Sequence, residues 1–123
     1  MSHRLPSTAA IYSFSPDNAP ALTVPSGSVV AIDTCDCFAD QLRTPADTLE
    51  SLDWARINPA TGPVFVEGAK PGDVLKVTIE SIEVGLQGVM ATGHALRMLA
   101  ARFAALPTSI LPFRHGRPAG PTR

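Results

Sequence analysis

The chain has 123 residues, of which 45% are hydrophobic and 17% charged, and its formal net charge is −1. This length suits one domain with its own core, and the near-neutral charge excludes the basic field that nucleic-acid binding requires. No apolar run is long enough to span a membrane, and the N-terminal residues lack the apolar stretch of a secretory signal. The composition therefore predicts a cytoplasmic protein with neither nucleic acid nor a membrane as a partner.

Short strands separated by turns are predicted over the first third of the chain. Residues 10–14 and 21–24 read as two strands, and each is followed by a turn that begins at a proline. Residues 29–37 form the strongest strand, because the run begins apolar on both faces and becomes polar toward its end. Cys35 and Cys37 share one face of this strand and are expected to be small buried hydrophobic side chains.

The pattern changes in the middle of the chain. Residues 38–57 carry many acidic and polar groups, and they predict a loop that contains a short helix. That helix starts near Asp47 and turns Leu49 and Leu52 inward. Residues 63–67 then form a strand that lies between two turns rich in proline and glycine.

A clean alternation marks the next segment, residues 74–84. Leu75, Val77 and Ile79 fall on one face of an extended chain, and the residues between them are polar. This period of two residues predicts a half-buried antiparallel strand.

The C-terminal third is predicted to hold a helix and one more strand. Residues 95–105 combine strong helix formers with apolar residues at helical spacing. Residues 109–114 read as a strand that Pro112 confines to a sheet edge, and residues 116–123 as a loose tail. The fold class that follows is mainly β, a β-sandwich or jelly-roll-like single domain over residues 1–123 with one or two short helices.

Three blocks of sequence occur in an order that points to a family. The first is Val24-Pro25-Ser26-Gly27 and the second Asp36-Cys37-Phe38. The third runs from Asn58 through the turn Thr61-Gly62-Pro63 to Glu67-Gly68 and Pro71-Gly72-Asp73. Together they resemble the N-terminal portion of the acetamidase/formamidase family over residues 10–90.

The resemblance implies a hydrolase that acts on the carbon–nitrogen bonds of short linear amides such as formamide and acetamide and releases ammonia. After Gly88 the chain departs from the family pattern, and the motifs of the family's second half do not follow. The alternative is therefore a catalytically inactive truncated β-domain that is a remnant or an assembly module. A small amide would be the substrate, and a homo-oligomer or a partner chain that supplies the second half would complete the protein.

Two acidic residues are candidates for catalysis. Asp36 lies at the polar end of a predicted buried strand, where a carboxylate is costly unless it is used or paired, and it could act as general base or metal ligand. The alternative is an aspartate bonded to the neighbouring turn. Glu67 follows an apolar strand and could point into a cleft, or it could cap the next turn or pair with Lys70.

Two polar residues of the third block are candidates for substrate binding. Asn58 and Thr61 could hold a substrate amide through their side-chain dipoles, although both are also suited to a turn before proline. A divalent metal, zinc or calcium, is a possible cofactor because it would lower the pKa of a bound water and polarise the carbonyl. His94 is the histidine nearest the body of the predicted domain, and no serine nucleophile motif is present.

Overall fold

The computed structural model describes residues 3–91, 108–114 and 117–118. Short strands dominate these residues, and two short 3₁₀ helices, Leu49–Ser51 and Trp54–Arg56, interrupt them. The predicted mainly β fold class with one or two short helices is confirmed. The strands are β1 (His3–Leu5), β2 (Ala10–Ile11), β3 (Leu22–Val24), β4 (Val30–Ile32), β5 (Ala60–Thr61), β6 (Val64–Val66), β7 (Gln87–Ala91), β8 (Thr108–Arg114) and β9 (Arg117–Pro118).

The described residues divide into two compact units, one within residues 1–39 and 55–78 and the other within residues 40–54 and 79–123. Each unit therefore combines two separate stretches of the chain. The single domain over residues 1–123 and the loose tail at residues 116–123 stay predictions. The predicted helix at residues 95–105 lies outside the described residues, as does His94.

The first unit is built from three pairs of short strands. β1 pairs with β4 and β3 with β6 in parallel, and β2 pairs with β5 in antiparallel. Leu5 is 2% exposed and Val24 4% exposed, so the apolar ends of β1 and β3 form its buried centre. The predicted strands at residues 21–24 and 63–67 are confirmed as β3 and β6, and the strand predicted at residues 10–14 is shortened to β2.

Residues 25–28 form the turn that joins β3 to β4, and hydrogen bonds and a left-handed glycine explain its sequence. The Ser28 N–H donates to the Pro25 carbonyl over 3.3 Å, and the Ser28 hydroxyl donates to the same oxygen over 2.8 Å. Gly27 has φ of +83°, a left-handed conformation that suits glycine at the third position of a type II turn. The predicted turn is confirmed.

Strand β4 is much shorter than predicted. It ends at Ile32, because its partner β1 ends at Leu5, and the Asp33 N–H closes the pairing by donating to the Leu5 carbonyl over 2.9 Å. The prediction of a strand over all of residues 29–37 is therefore wrong beyond Ile32.

The burial predicted for the two cysteines is also wrong. Cys35 is half-buried and Cys37 is exposed, and both thiols are free of disulfides. The physical reason is that the chain leaves the sheet before these residues, so the strand periodicity that would turn both side chains inward no longer applies.

The second unit contains a three-stranded antiparallel sheet in the order β7–β8–β9. The strand predicted at residues 109–114 is confirmed as β8, but its position at a sheet edge is wrong. Pro112 lies opposite Gln87 of β7, and β9 pairs only with Phe113 and Arg114. The missing N–H of Pro112 is tolerated because β9 does not extend to that residue.

Gly88 of β7 lies directly beneath an aromatic ring. A Cβ atom at this position would lie 2.6 Å from Cε2 of Phe113, which is closer than real carbon atoms approach. Glycine is therefore required for the ring to cover the backbone of the neighbouring strand.

The loop within residues 40–54 is organised around two buried leucines. Leu42 is 1% exposed and Leu52 7% exposed. The side-chain amide of Gln41 accepts from the Asp53 N–H over 2.9 Å and donates to the Asp53 carbonyl over 3.3 Å, which holds the two leucine-bearing segments side by side. The predicted short helix and the inward direction of Leu52 are confirmed, whereas Leu49 is half-buried.

The strand predicted at residues 74–84 is wrong for the described structure. None of these residues belongs to a strand, and the apolar residues predicted to face inward are exposed. The alternation is real, but no other described strand pairs with it. A period of two residues indicates a strand only when a partner takes up its backbone hydrogen bonds. Among the described residues, no helix is long and apolar enough to cross a membrane.

Asp47 gives the second unit a pH dependence that can be measured. Its Oδ2 accepts from the N–H groups of Thr44 and Arg43, each over 2.7 Å, and these bonds lower the pKa of the carboxyl below its ordinary value of 3.8. Because the folded-state pKa is the lower one, the stabilisation is present above the ordinary pKa of the carboxyl and is lost as the pH falls through the folded-state pKa.

We therefore expect Asp47→Asn to flatten the loss of stability on acidification. The measurement is the urea midpoint of unfolding between about pH 5 and about pH 2. Glu50→Gln, which removes an exposed charge from the neighbouring helix, is the matched control. An equal acid dependence in Asp47→Asn and the unmodified chain would contradict this prediction.

Candidate functional site

The chain segments that carry Asp36, Asn58 and Thr61 are joined in the first unit, where the chain leaving β4 approaches the segment around β5. The Asn58 N–H donates to the Cys37 carbonyl over 2.7 Å, directly beside Asp36. The Thr61 hydroxyl donates to the Asp33 carbonyl over 2.9 Å. The first of these hydrogen bonds joins the second and third sequence blocks, and the other joins the third block to the residue that follows β4.

Asp36 is half-buried and opens a tight turn. Its Oδ1 accepts from the Phe38 N–H over 2.9 Å, and its carbonyl accepts from the Ala39 N–H over 3.0 Å. The turn role that the sequence left open as an alternative is thus present. It also fixes the orientation of the carboxylate, which a general base requires, so the two roles are compatible.

The residues after this turn have an unusual backbone. Ala39 and Asp40 have φ of +52° and +58°, and both are therefore left-handed. This conformation costs about 1–2 kcal/mol for a residue with a Cβ, and such strain is concentrated at functional sites. Nothing in the local sequence indicates it, because alanine rarely adopts this conformation.

Asn58 is also left-handed, with φ of +51°, which asparagine tolerates better than most residues. The residue is exposed, and its backbone is bonded to the carbonyl of Cys37, next to Asp36 in the chain. The backbone N–H holds the segment in place, and the side chain is therefore not required for that contact.

Thr61 lines an open, mostly apolar groove of about 470 Å³. Its hydroxyl hydrogen is committed to the Asp33 carbonyl, so the hydroxyl oxygen can act only as an acceptor toward a further group. Asp36, Asn58 and Glu67 do not line this groove. The lining residues are Ile11, Phe14, Ser15, Pro16, Asn18, Ala60, Thr61, Gly62 and Pro63.

Glu67 is exposed and follows β6, where its N–H donates to the Val24 carbonyl over 2.9 Å. The next turn is closed by Asp73, whose Oδ2 accepts from the Lys70 N–H over 2.8 Å. Neither alternative role for Glu67, capping this turn or pairing with Lys70, occurs among the described contacts. The structure does not join Glu67 to the turn of Asp36, and its catalytic role stays a prediction.

Asp33 and Arg4 were not among the residues predicted from the sequence. The Arg4 guanidinium donates to both Asp33 carboxylate oxygens, over 3.0 Å and 2.9 Å. This bidentate pair ties β1 to the end of β4, where Asp33 also receives the Thr61 hydroxyl. The two residues lie 29 positions apart, so only the pairing of β1 with β4 could have indicated their contact.

The described residues do not form a metal site by themselves. No group of three histidine, cysteine, aspartate or glutamate side chains in this part of the chain is close enough to hold an ion. Asp36 could supply one oxygen ligand, but a stable site needs several such ligands at once.

The pKa of the Cys37 thiol depends on the negative charge of Asp36, which precedes it in the chain. Although Cys37 is exposed, partial desolvation of its sulfur, and next the negative charge of Asp36, raise the pKa of this thiol above its ordinary value of 9.0, and a backbone hydrogen bond offsets part of the rise. In a Cys35→Ser background, we expect Asp36→Asn to increase the iodoacetamide reaction rate near neutral pH about two- to fivefold, because the thiolate is the reacting form.

Asp33→Asn is the matched control for this experiment, because it removes a nearby carboxylate whose charge already faces Arg4. A rate that stays the same in Asp36→Asn would contradict the electrostatic coupling of Asp36 and Cys37. The pH dependence of the rate separates a change in thiol pKa from a change in access.

Comparisons of the sequence and of the structure with known proteins find similarity to the same group of amidases. A model of the Acetamidase/Formamidase family matches residues 7–110. A Schizosaccharomyces pombe protein named as a formamidase is 33% identical over 70 residues, which are 55% of this chain and 17% of the yeast protein.

Solved bacterial structures extend the similarity to nearly the whole chain. The Thermoanaerobacter tengcongensis acetamidase/formamidase matches with a TM-score of 0.89 at 43% identity, over 98% of this chain and 40% of that one. Acetamidase from Bacillus halodurans matches with a TM-score of 0.91 at 37% identity, over 97% of this chain and 40% of that one. The chain therefore spans well under half the length of the relatives it matches.

Proposed function

Because this chain belongs to the acetamidase/formamidase family, we propose that it takes part in the hydrolysis of carbon–nitrogen bonds in short linear amides. The observation that carries the proposal is its similarity to two solved relatives, one named as an acetamidase/formamidase and one as an acetamidase, at 43% and 37% identity over nearly all of its length. Formamide and acetamide are the proposed substrates, and ammonia is the proposed product.

The chemistry needs a water molecule that adds to the carbonyl carbon and a proton that reaches the leaving nitrogen. Asp36 is the proposed general base, which takes a proton from the water as the carbon–oxygen bond forms and returns it as the carbon–nitrogen bond breaks. The products are then a carboxylic acid and ammonia. The support is that the Phe38 N–H orients the Asp36 carboxylate and that the adjoining backbone is strained.

Asn58 is proposed to bind the substrate amide, because its exposed side chain lies beside the turn of Asp36 and carries both a donor and an acceptor. Thr61 is proposed to accept from the substrate N–H through its hydroxyl oxygen. Glu67 is proposed as a second catalytic carboxylate, although no described contact joins it to the turn of Asp36.

We also propose that a divalent metal ion assists the reaction, with Asp36 as its one ligand from the described residues. Asp36 would provide one ligand to a zinc or calcium ion, and the other ligands would come from residues outside the described part of the chain. Such an ion would supply Lewis-acid activation of the carbonyl or the water when bound.

A second candidate function is a β-domain without catalytic activity that serves as a scaffold in a larger assembly. It is favoured by the exposed apolar residues between 74 and 84, which are typical of a surface that another polypeptide covers. For both the hydrolytic and the scaffold function, the proposed partner is a second copy of this chain or a separate chain that carries the family's second half.

The test is ammonia release from formamide and acetamide by the purified 123-residue chain, together with its metal content. Turnover that exceeds the buffer rate and disappears in Asp36→Ala supports the hydrolytic proposal for this chain. A folded chain that releases no ammonia, with or without added zinc or calcium, would contradict it and favour the scaffold.

A further inference from the structure

The segment from Asp33 to Cys37, which carries Asp36, is held at both of its ends by the third sequence block. At one end, the Asp33 carbonyl accepts from the Thr61 hydroxyl over 2.9 Å. At the other end, the Cys37 carbonyl accepts from the Asn58 N–H over 2.7 Å. Both acceptors are backbone carbonyls, so these two contacts do not depend on the side chains of Asp33 and Cys37.

The peptide unit between Cys37 and Phe38 connects Asn58 to the Asp36 carboxylate. Its carbonyl accepts from the Asn58 N–H, and its N–H donates to Asp36 Oδ1 over 2.9 Å. A trans peptide is planar, and its C=O and N–H point in opposite directions, so the bond made by one group fixes the direction of the other. Asn58 thus orients the N–H that holds the carboxylate.

Asn58 makes its contact with Cys37 from a left-handed backbone, with φ of +51°. A residue with a Cβ ordinarily avoids this conformation, whereas glycine adopts it freely and asparagine more readily than most residues. Asn58 therefore contributes two separable properties, an amide side chain and a backbone that tolerates a positive φ. The hydrogen bond to Cys37 requires only the second of them.

We propose that Asn58 is a positioning residue for the Asp36 carboxylate and acts through the peptide unit between Cys37 and Phe38. Its left-handed backbone directs its N–H to the Cys37 carbonyl, and that peptide unit presents the Phe38 N–H to Asp36 Oδ1. This inference rests on the proposed catalytic role of Asp36. It adds a role of the Asn58 backbone to the proposed contact of the Asn58 side chain with the substrate.

The variants Asn58→Gly and Asn58→Ala separate these two roles. Both lack the amide side chain, but only glycine adopts the left-handed conformation without a steric cost. Any effect of the lost side chain is therefore common to both variants, and the difference between them measures the contribution of the backbone.

The first measurement is amide hydrogen exchange of Phe38 in the 123-residue chain, followed by NMR. We expect exchange in Asn58→Ala to be about five- to thirtyfold faster than in Asn58→Gly, because the N–H is no longer directed at Asp36 Oδ1. The Glu67 N–H, which donates to the Val24 carbonyl in the same unit, is the internal reference and is expected to exchange equally in both variants. Asp36→Ala, which removes the acceptor, gives the rate of a Phe38 amide without its hydrogen bond.

The second measurement is kcat and KM for ammonia release, in the form of the protein that has the activity. We expect kcat of Asn58→Ala to be about five- to thirtyfold below that of Asn58→Gly, because only alanine displaces the carboxylate, while KM is the same in both. A rise in KM that the two variants share, relative to the unmodified protein, measures the side-chain contact with the substrate.

Equal Phe38 exchange in the two folded variants would overturn the proposal, and so would equal kcat values. If Asn58→Ala does not fold, Asn58→Gly decides the matter. Phe38 exchange in that variant within about threefold of the unmodified chain would support the proposal. Exchange as fast as in Asp36→Ala would overturn it, because glycine keeps the backbone conformation that the contact requires.

The exchange measurement does not depend on turnover, so the two proposals can fail separately. The expected exchange difference in a protein that releases no ammonia would support the positioning contact and count against the amidase proposal. Ammonia release that depends on Asp36, together with equal exchange and equal kcat in the two Asn58 variants, would do the reverse.

Discussion

Asp36→Asn is expected to lower the rate of ammonia release by about 10²–10⁴-fold in the form of the protein that has the activity. The asparagine oxygen can still accept from the Phe38 N–H, which lies 2.9 Å from Asp36 Oδ1, so the turn is kept. The amide cannot take a proton from water, so the general base is lost. The measurement is kcat and KM with formamide and acetamide.

The comparison with Asp36→Ala separates catalysis from structure. Alanine removes both the base and the acceptor of the turn, whereas asparagine removes only the base. If Asp36 served the turn alone, Asp36→Asn would keep its activity and Asp36→Ala would lose it. Asp33→Asn is the control, because it removes a carboxylate three residues earlier that forms an ion pair with Arg4.

Leu42→Ala is expected to lower the free energy of unfolding by about 2–4 kcal/mol. Leu42 is 1% exposed, and the loss of its side chain leaves a cavity beside the segment that Gln41 joins to Asp53. The loop within residues 40–54 has few other buried side chains to close such a cavity. Urea unfolding followed by the fluorescence of Trp54, the one tryptophan of the chain, measures this change.

Leu86→Ala is the matched control, because it makes the same chemical change at a side chain that is 89% exposed. A shift of less than about 0.5 kcal/mol is expected there. Equal shifts in the two variants would contradict the assignment of Leu42 to the core of its unit. A loss of the Trp54 transition in Leu42→Ala at all urea concentrations would indicate that the loop no longer folds.

The site was predictable from the sequence only in part. The sequence predicts Asp36 as a catalytic residue and Asn58 as a substrate-binding residue, but not that they are close. The Asn58–Cys37 hydrogen bond brings their two segments together. The Arg4–Asp33 pair and the left-handed Ala39 could not be predicted, because one depends on the pairing of distant strands and the other on strain imposed from outside the local sequence. Glu67 was predicted from the same block as Asn58, yet no described contact connects it to the turn of Asp36.

The sequence by itself determined the features that depend on a few neighbouring residues. The turn at Gly27, the short strands β3 and β6 and the inward direction of Leu52 all follow from local φ preferences and side-chain spacing. The tertiary structure alone decided where β4 ends and that residues 74–84 lack a partner among the described residues. A strand is a property of two chain segments, since its hydrogen bonds must be accepted and donated elsewhere, and periodicity in one of them cannot show whether the other is present.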